Sequence, residues 1–161
     1  MKLEIGDLVV QPLKIEDLSY VKNIRDQSLE YLDTQISFTL EETQNWFKTT
    51  SPKWYGIHLR GTFIGYIRTS DYFPVNRSLY VGMDLDKKYR GNGYAHQVYL
   101  EFMSWLKRQG FVTAFLRVQV RNFRAYNLYR KLGFRPVGVY ENFVILKDGN
   151  TLDVFVMQKE L

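Results

Sequence analysis

Residues 90–95, which read Arg-Gly-Asn-Gly-Tyr-Ala, lie between a strand-like run and a helix-like run. Two glycines at such a junction allow a tight turn and leave backbone N–H groups uncovered. Those N–H groups and the positive end of the following helix form a binding site for an anion, most naturally a phosphate. Lys87, Lys88 and Arg90 add positive charge around it. From this stretch alone, a glycine-rich turn that merely begins an ordinary helix remains an open alternative.

A second stretch, residues 122–134, reads Asn-Phe-Arg-Ala-Tyr-Asn-Leu-Tyr-Arg-Lys-Leu-Gly-Phe. The two stretches together, in this order and spacing, resemble the motifs of the GNAT acyltransferases. The phosphate loop of that family, Arg/Gln-x-x-Gly-x-Gly/Ala, is matched by Arg90, Gly93 and Ala95. The next helix of the family commonly reads Asn-x-x-Ala-x-x-x-Tyr-x-Lys-x-Gly-Phe, and it is matched by Asn122, Ala125, Tyr129, Lys131, Gly133 and Phe134.

The resemblance implies an acyl-CoA donor, which we expect to be acetyl-CoA, and it leaves the acyl chain length open. Backbone N–H groups of residues 90–95 would hold the pyrophosphate of coenzyme A, assisted by the Lys88 and Arg90 side chains. The strand before the loop would splay from its neighbour and admit the pantetheine arm. Gly82 in that strand suits either a close backbone approach or simple packing beneath a helix. The residues expected to bind the cofactor are Met83, Leu85, Lys88, Arg90, Gly91, Asn92, Gly93, Tyr94, Ala95, Asn122, Tyr129 and Lys131.

The same resemblance implies two groups that assist the attack of an amine on the thioester. A fixed donor aimed at the carbonyl oxygen stabilises the negative charge that develops there. The Leu85 backbone N–H is the candidate for that donor. Tyr129 matches the tyrosine to which the family assigns protonation of the departing thiolate. An aromatic packing position on the helix is the alternative interpretation of Tyr129.

The general base is left open by the sequence. Many family members carry a glutamate on the strand before the loop, but the aligned position here holds Tyr80. Asp84 is the nearest carboxylate, and alternation along the strand leaves its direction open, while His58 and Glu141 are further candidates. Deprotonating a lysine amine at pH 7 costs roughly 4–5 kcal/mol, against about 1.4 kcal/mol for an α-amine. A site without an obvious base therefore favours an acceptor amine of low pKa.

Two kinds of acceptor fit the sequence. One is a nucleotide-linked amino sugar, the small-molecule amine that we favour, for which Arg25, Trp46 and Tyr80 are the expected substrate-binding residues. The other is a protein N-terminus, as in ribosomal-protein alanine acetyltransferases. Two further classes stay open, namely a protein that binds acyl-CoA without catalysis and a nucleic-acid-binding protein.

Composition narrows these classes. The chain has 161 residues and a net charge of +5, which favours anionic partners such as polyphosphate cofactors or nucleic acid. No recognised nucleic-acid-binding motif accompanies the charge, so we expect no nucleic-acid partner. The absence of cysteine and the presence of only two histidines argue against disulfides and a metal site. With neither a signal-peptide pattern nor a membrane-length apolar run, we expect a cytoplasmic monomer or homodimer.

The motifs require a scaffold that positions them. Apolar alternation and turn signals predict strands over residues 6–13, 53–60, 62–70, 79–85, 111–120, 136–147 and 151–160. Helical spacing predicts helices over residues 15–25, 39–47, 93–108 and 122–133. This order predicts an α/β (α+β) domain over residues 1–161, with helices on both faces of a mixed sheet. The resemblance implies a mostly antiparallel sheet of about seven strands, splayed between strands 4 and 5, with about four helices.

Overall fold

The computed structural model describes residues 1–49 and 53–161. Its strands are β1 (Leu3–Ile5), β2 (Leu8–Pro12), β3 (Lys53–Leu59), β4 (Thr62–Phe73), β5 (Ser78–Leu85), β6 (Thr113–Gln119), β7 (Arg135–Ile145) and β8 (Thr151–Glu160). They form one sheet in the order β1-β2-β3-β4-β5-β6-β8-β7. Neighbouring strands are antiparallel except for β5 and β6, which are parallel. The mixed, mostly antiparallel sheet that the sequence predicts is confirmed.

The sheet has eight strands, where the sequence predicts about seven. The difference lies at the N-terminus, where the sequence predicts one strand over residues 6–13. The structure instead has a hairpin in which Leu3 pairs with Val10 and Ile5 with Leu8. Part of the predicted strand is therefore the turn between β1 and β2. A three-residue strand such as β1 is too short to show a clear alternating pattern in the sequence.

The four α-helices of the described residues are α1 (Leu18–Asp26), α2 (Leu40–Thr49), α3 (Tyr94–Arg108) and α4 (Phe123–Lys131). Successive strand residues point to opposite faces of a sheet. Tyr66 of β4 packs in one apolar cluster with Val21 of α1, whereas the adjacent Ile67 packs in another with Phe102 of α3. The predicted placement of helices on both faces is therefore confirmed. None of the helices in residues 1–49 and 53–161 combines the length and hydrophobicity needed to cross a membrane.

Side-chain caps fix the starts of two helices that border the central cleft. The Thr39 N–H donates to Glu42 Oε2 at 2.7 Å, and the Glu42 N–H donates to Thr39 Oγ1 at 3.1 Å. This reciprocal pair is the capping box that the sequence predicts before α2. Asn122 Oδ1 accepts from the Ala125 N–H at 3.2 Å and caps α4. The cap fixes where α4 begins, and with it the position of Tyr129 in the last turn.

A gap in the sheet separates β5 from β6. The two strands pair only at Ser78↔Thr113, Leu79↔Ala114 and Tyr80↔Phe115. Beyond Tyr80 they diverge, while β5 continues to Leu85. The sequence predicts this splay between the fourth and fifth of its seven strands, and the structure confirms it. The backbone edge of β5 is thereby left facing open space in the middle of the sheet.

Gly65 allows the close approach of β4 and β5 at the end of this gap. A Cβ atom at Gly65 would lie 2.5 Å from the Asp84 carbonyl oxygen and 2.5 Å from Leu85 Cδ2. We expect Gly65→Ala to lower the free energy of unfolding by about 1–3 kcal/mol, because the strands must separate. Urea denaturation measures this change. The matched control is Gly82→Ala, whose Cβ would lie at an ordinary 3.5 Å from the Arg68 guanidinium; an equal loss in both variants would contradict the explanation.

Candidate functional site

A cleft of about 1290 Å³ runs from the glycine-rich loop through the gap between β5 and β6 to the face covered by α1 and α2. Most of the residues predicted to form the site line this cleft. Lys88 and Asn92 lie outside it. The predicted residues that the structure brings together here are Arg25, Trp46, Tyr80, Met83, Asp84, Leu85, Arg90, Gly91, Gly93, Tyr94, Ala95, Asn122, Tyr129 and Lys131.

One end of the cleft is suited to an anion. Gly91 and Gly93 have φ angles of 84° and 79°, a left-handed conformation that glycine adopts readily. None of the backbone N–H groups of residues 91–96 donates a hydrogen bond to another described residue. These groups lie at the positive end of the α3 dipole. Lys87 and Arg124 also line this end, and a Cβ at Gly91 would lie 3.4 Å from Arg124 Nη2.

The polar side chains of Arg90 and Asn92 in the loop form hydrogen bonds with other protein groups. Arg90 donates from Nε to the Leu85 carbonyl and from Nη2 to Ser28 Oγ, both at 2.8 Å. Burial lowers the pKa of Arg90, and the nearby Asp84 carboxylate raises it. Asn92 Nδ2 donates to the carbonyl oxygens of residues 89 and 90. These contacts brace the turn, and Arg90 still lines the cleft.

Two backbone N–H groups of β5 face the gap in the sheet. Alternate N–H groups of a strand point toward opposite neighbours. The Asp86 N–H donates to the Ile64 carbonyl of β4 at 2.9 Å, so the N–H groups of Leu85 and Met83 point away from β4. The Leu85 carbonyl, on the same side, accepts from Arg90 Nε. The arrangement leaves the Leu85 N–H as a fixed donor in the cleft.

Tyr129 reaches the cleft from the last turn of α4. Its ring lies edge-on to Tyr99, with centroids 5.7 Å apart, and packs against Phe134 at 6.1 Å. Burial raises the pKa of the Tyr129 hydroxyl, the Tyr99 hydroxyl lowers it, and the Asp84 charge raises it. Two aromatic neighbours therefore hold the phenol in place, and its environment keeps it protonated at neutral pH.

Asp84 faces the cleft from β5, on the side of the sheet that carries α1. Its Oδ2 accepts a hydrogen bond from the Tyr66 hydroxyl at 2.8 Å. Burial raises the pKa of Asp84, while the Tyr66 hydrogen bond and the Arg68 charge lower it. Arg68 pairs with Gly82 across β4 and β5, and its guanidinium lies over Gly82, 3.5 Å from where a Cβ would stand. The structure thus brings together a carboxylate and an arginine that the sequence does not relate.

Of the residues predicted to bind the acceptor substrate, Arg25 already forms hydrogen bonds within the protein. Arg25 donates to the carbonyl oxygens of Ile36 at 2.8 Å and Thr34 at 3.3 Å, and its guanidinium lies 4.7 Å from the Phe38 ring centre. It therefore anchors the segment between α1 and α2. Trp46, which is 39% exposed, packs edge-on against Trp54 at 5.0 Å.

Tyr80 belongs to an aromatic group at the other end of the cleft. Its ring stacks on Phe115 at 5.5 Å, and its hydroxyl lies 3.4 Å from that of Tyr140. Burial and the hydrogen bond with Tyr140 raise the pKa of Tyr80 to about 12. Arg117, which sequence reasoning missed, packs on Tyr80 and forms an ion pair with Asp33 at 3.4 Å. Only the pairing of strands distant in sequence reveals this group.

The other candidate bases lie outside the cleft. His58 packs edge-on against Phe63 at 5.3 Å, and its Nδ1 is buried without a described partner. Glu141 is exposed on β7. Neither residue lines the cleft, whereas Asp84 does. Among these three candidates, Asp84 is the one positioned to meet a ligand there.

Comparisons with known proteins agree with this geometry. A model of the acetyltransferase (GNAT) family matches residues 18–134. One similar structure is a ribosomal L7/L12 alpha-N-protein acetyltransferase (RimL) in complex with coenzyme A, with a TM-score of 0.86 and 18% identity over 100% of this chain and 98% of that chain. The comparison with curated protein sequences found no match.

Two further solved structures share the fold. An acetyl transferase from Salmonella typhimurium, which modifies the N-terminal serine of ribosomal protein L7/L12, has a TM-score of 0.85 and 18% identity over 100% of this chain and 99% of that chain. A ribosomal-protein-alanine N-acetyltransferase from Brucella melitensis has a TM-score of 0.82 and 19% identity over 94% of this chain and 99% of that chain. Identities this low establish a common architecture and leave the acceptor undetermined.

Proposed function

This chain belongs to the acetyltransferase (GNAT) family, whose members transfer an acetyl group from acetyl-CoA, and on that premise we propose that its acceptor is a small primary amine that carries an anionic group. A nucleotide-linked amino sugar has both features. The amine attacks the thioester directly, within a complex that holds both substrates. The part of the cleft lined by Arg25, Trp46, Tyr80 and Arg117 is called the acceptor half. The observation that carries this proposal is that the Arg68 guanidinium in this half has no hydrogen-bond or salt-bridge partner among the described residues.

Arg68 is half-buried, lines the cleft and lies over the Trp54 ring at 5.6 Å, but it forms no hydrogen bond or salt bridge with any described residue. The other arginines of the acceptor half, Arg25 and Arg117, already bind protein groups. An arginine fork binds a phosphate or carboxylate through two parallel hydrogen bonds. Arg68 therefore supplies an anion-binding group beside Asp84, and the aromatic rings of Trp46 and Tyr80 supply stacking surfaces for a base or sugar.

The part of the cleft beside the glycine-rich loop, called the donor half, carries groups that suit the binding of acetyl-CoA. The free N–H groups of residues 91–96, with Lys87 and Arg124, would hold its pyrophosphate, and the Met83 N–H would hold the pantetheine arm. Acetyl-CoA supplies a thioester carbonyl that an uncharged amine can attack. The Leu85 N–H stabilises the negative charge that develops on the carbonyl oxygen.

Proton transfer involves two side chains on opposite sides of the gap. Asp84 accepts a proton from the attacking amine, and Tyr129 donates its proton to the departing sulfur. Both residues line the cleft, as does Leu85. Because Asp84 remains a weak base even with a raised pKa, this site favours an amine of low pKa over a lysine side chain.

A protein N-terminus is the second candidate acceptor. The observation in its favour is that solved structures of the same fold modify ribosomal-protein N-termini. An α-amine, with a pKa of about 8, also meets the requirement for a weakly basic acceptor. In this alternative, Arg68 would bind an acidic side chain or a carbonyl group near the peptide terminus.

The test of the proposed function is mass spectrometry of the products formed when the purified protein receives acetyl-CoA and a mixed panel of amines. The panel contains nucleotide-linked amino sugars, N-terminal peptides and polyamines. A mass gain of about 42 Da on the amino sugars, which is an acetyl group replacing one amine hydrogen, would support the proposal. A gain on the peptides alone would overturn it in favour of the alternative. Acetyl-CoA binding with no acetylated product would favour a protein that binds without catalysis.

Substitution of Arg68 tests the anion-binding role. We expect Arg68→Gln to raise the KM for an anionic acceptor by about tenfold or more, because it removes charged hydrogen bonds to the ligand. The KM for acetyl-CoA should stay near its wild-type value. Arg108→Gln is the matched control, because Arg108 binds Glu101 on the surface of α3 outside the cleft. An unchanged acceptor KM in Arg68→Gln would contradict this role.

A further inference from the structure

Tyr99 carries a buried hydroxyl that its fold position does not explain. It lies on α3, is 1% exposed and contributes to the large apolar cluster. Its hydroxyl is buried without a hydrogen-bond partner among the described residues. A buried hydroxyl without a partner destabilises a protein, and a phenylalanine would fill the same space without that penalty. The hydroxyl therefore calls for a ligand or a reaction step that engages it.

The surroundings of Tyr99 indicate which group it engages. Tyr99 lines the floor of the cleft, and its ring lies perpendicular to that of Tyr129, with centroids 5.7 Å apart. The two hydroxyl groups interact with one another, although the Tyr99 hydroxyl has no partner of ordinary hydrogen-bond geometry among the described residues.

We propose that Tyr99 is a positioning residue for Tyr129, and that its hydroxyl donates a hydrogen bond to the Tyr129 oxygen as that oxygen gives up its proton. This inference rests on the proposed function, in which Tyr129 is the proton donor. It adds a second phenol, on a different helix, whose ring lies edge-on to that of Tyr129. In this scheme the proton donor is a pair of phenols, and only Tyr129 of the pair touches the reacting sulfur.

The proton and electron changes balance in this scheme. The C–N bond of the new amide forms and the C–S bond of the thioester breaks, and the sulfur leaves with the bonding electron pair. The sulfur takes the Tyr129 proton, which leaves negative charge on the Tyr129 oxygen. Tyr99 stabilises that charge through a hydrogen bond, and hydrogen bonds to charged oxygens are roughly twice as strong as neutral ones. The proton lost by the amine passes to Asp84 and returns to Tyr129 through solvent.

The electrostatic environment makes Tyr99 the donor of the pair. Burial raises the pKa of Tyr99 well above its ordinary value, and Tyr129 raises it further, so Tyr99 keeps its proton. The Asp84 charge on β5 disfavours a negative charge on either phenol, and the Arg68 charge on β4 favours it. The hydroxyl of Tyr99, together with the Arg68 charge, offsets the effect of Asp84 at Tyr129.

The test is Tyr99→Phe, assayed with the acceptor that the amine panel identifies. We expect kcat to fall about tenfold, with both KM values near wild type, because the lost hydrogen bond acts on a charge formed only during reaction. The melting temperature should be unchanged or higher, because an unpaired buried hydroxyl has been removed. Tyr55→Phe is the matched control, since Tyr55 is equally a tyrosine of the large cluster but does not line the cleft.

A double-mutant cycle with Tyr129→Phe separates this inference from the proposed function. If Tyr99 acts through Tyr129, its substitution has no further effect on kcat in the Tyr129→Phe background. A wild-type kcat for Tyr99→Phe, or an equal loss in both backgrounds, would overturn the inference and leave the acid role of Tyr129 intact. A wild-type kcat for Tyr129→Phe would overturn both. Raised KM values together with a lowered melting temperature in Tyr99→Phe would indicate a purely structural residue and would also overturn the inference.

Discussion

Replacing Tyr129 with phenylalanine should lower kcat by about 100-fold or more, the usual contribution of a positioned general acid. The substitution removes one oxygen and leaves the ring in its contacts with Tyr99 and Phe134. The KM for acetyl-CoA should therefore remain near the wild-type value. Steady-state release of the coenzyme A thiol, measured with the identified acceptor, gives both constants. The size of the effect reflects the leaving group, because a thiolate that departs without a proton reacts backward more readily.

Tyr126→Phe provides the control on the same helix. Tyr126 packs against Phe155 at 5.5 Å and does not line the cleft. Its substitution should leave kcat unchanged within the error of the assay. If Tyr129→Phe turned over as fast as Tyr126→Phe, the sulfur would have to be protonated by solvent or by another group, and Tyr129 would be a packing residue of α4.

Replacing Asp84 with asparagine should lower kcat/KM by about 100-fold at neutral pH, because it removes the group that we propose accepts the amine proton. The loss should shrink as the pH approaches the pKa of the acceptor amine, which then loses its proton to water. Asparagine keeps an oxygen that can accept from the Tyr66 hydroxyl, so the local hydrogen bond survives. A pH profile of kcat/KM for both proteins measures this difference.

The same substitution should stabilise the folded protein at neutral pH. Burial raises the pKa of Asp84 in the folded protein above its ordinary value of 3.8. The protonated carboxyl therefore favours the folded state fully below pH 3.8, and this stabilisation is lost as the pH rises through the raised pKa. At pH 7 the ionised carboxylate destabilises the fold, and asparagine removes that charge. We expect an increase in Tm of roughly 1–4 °C, measured by thermal denaturation at pH 7.

Asp71→Asn is the control for charge removal. Asp71 lies on β4, is exposed and does not line the cleft. It should change neither kcat/KM nor its pH dependence. An Asp84→Asn protein with wild-type kcat/KM across the pH range would show that water alone accepts the amine proton. A fall in Tm at pH 7 would contradict the sign of the pKa shift.

Local chemistry accounts for the parts of the molecule that the sequence predicted well. The capping box at Thr39 and Glu42, the cap at Asn122 and the glycines of residues 90–95 each act within a few residues. Their backbone preferences do not depend on distant contacts, so the helix starts and the glycine-rich loop could be recognised in order along the chain. The same motifs carry the GNAT resemblance, which the family match confirms.

Local sequence patterns do not predict the boundaries of the N-terminal strands or the direction in which individual side chains point. The Arg90 guanidinium binds the Leu85 carbonyl and Ser28, a residue 62 positions earlier, and the sequence does not predict this contact. The strands β1 and β2 form a hairpin because Leu3 finds its partner at Val10. In both cases the outcome depends on a tertiary contact whose partner no local pattern identifies.

The sequence by itself determined where the loop, its helix and the phenol of α4 lie along the chain, because turn and cap chemistry is local. Only the tertiary structure decided that Arg68 meets Asp84 across Gly82, that Arg124 joins the loop and that the Tyr99 hydroxyl lies beside Tyr129. Strand register and helix packing set those distances. The free energy of burying the common core fixes register and packing, so no single segment encodes them.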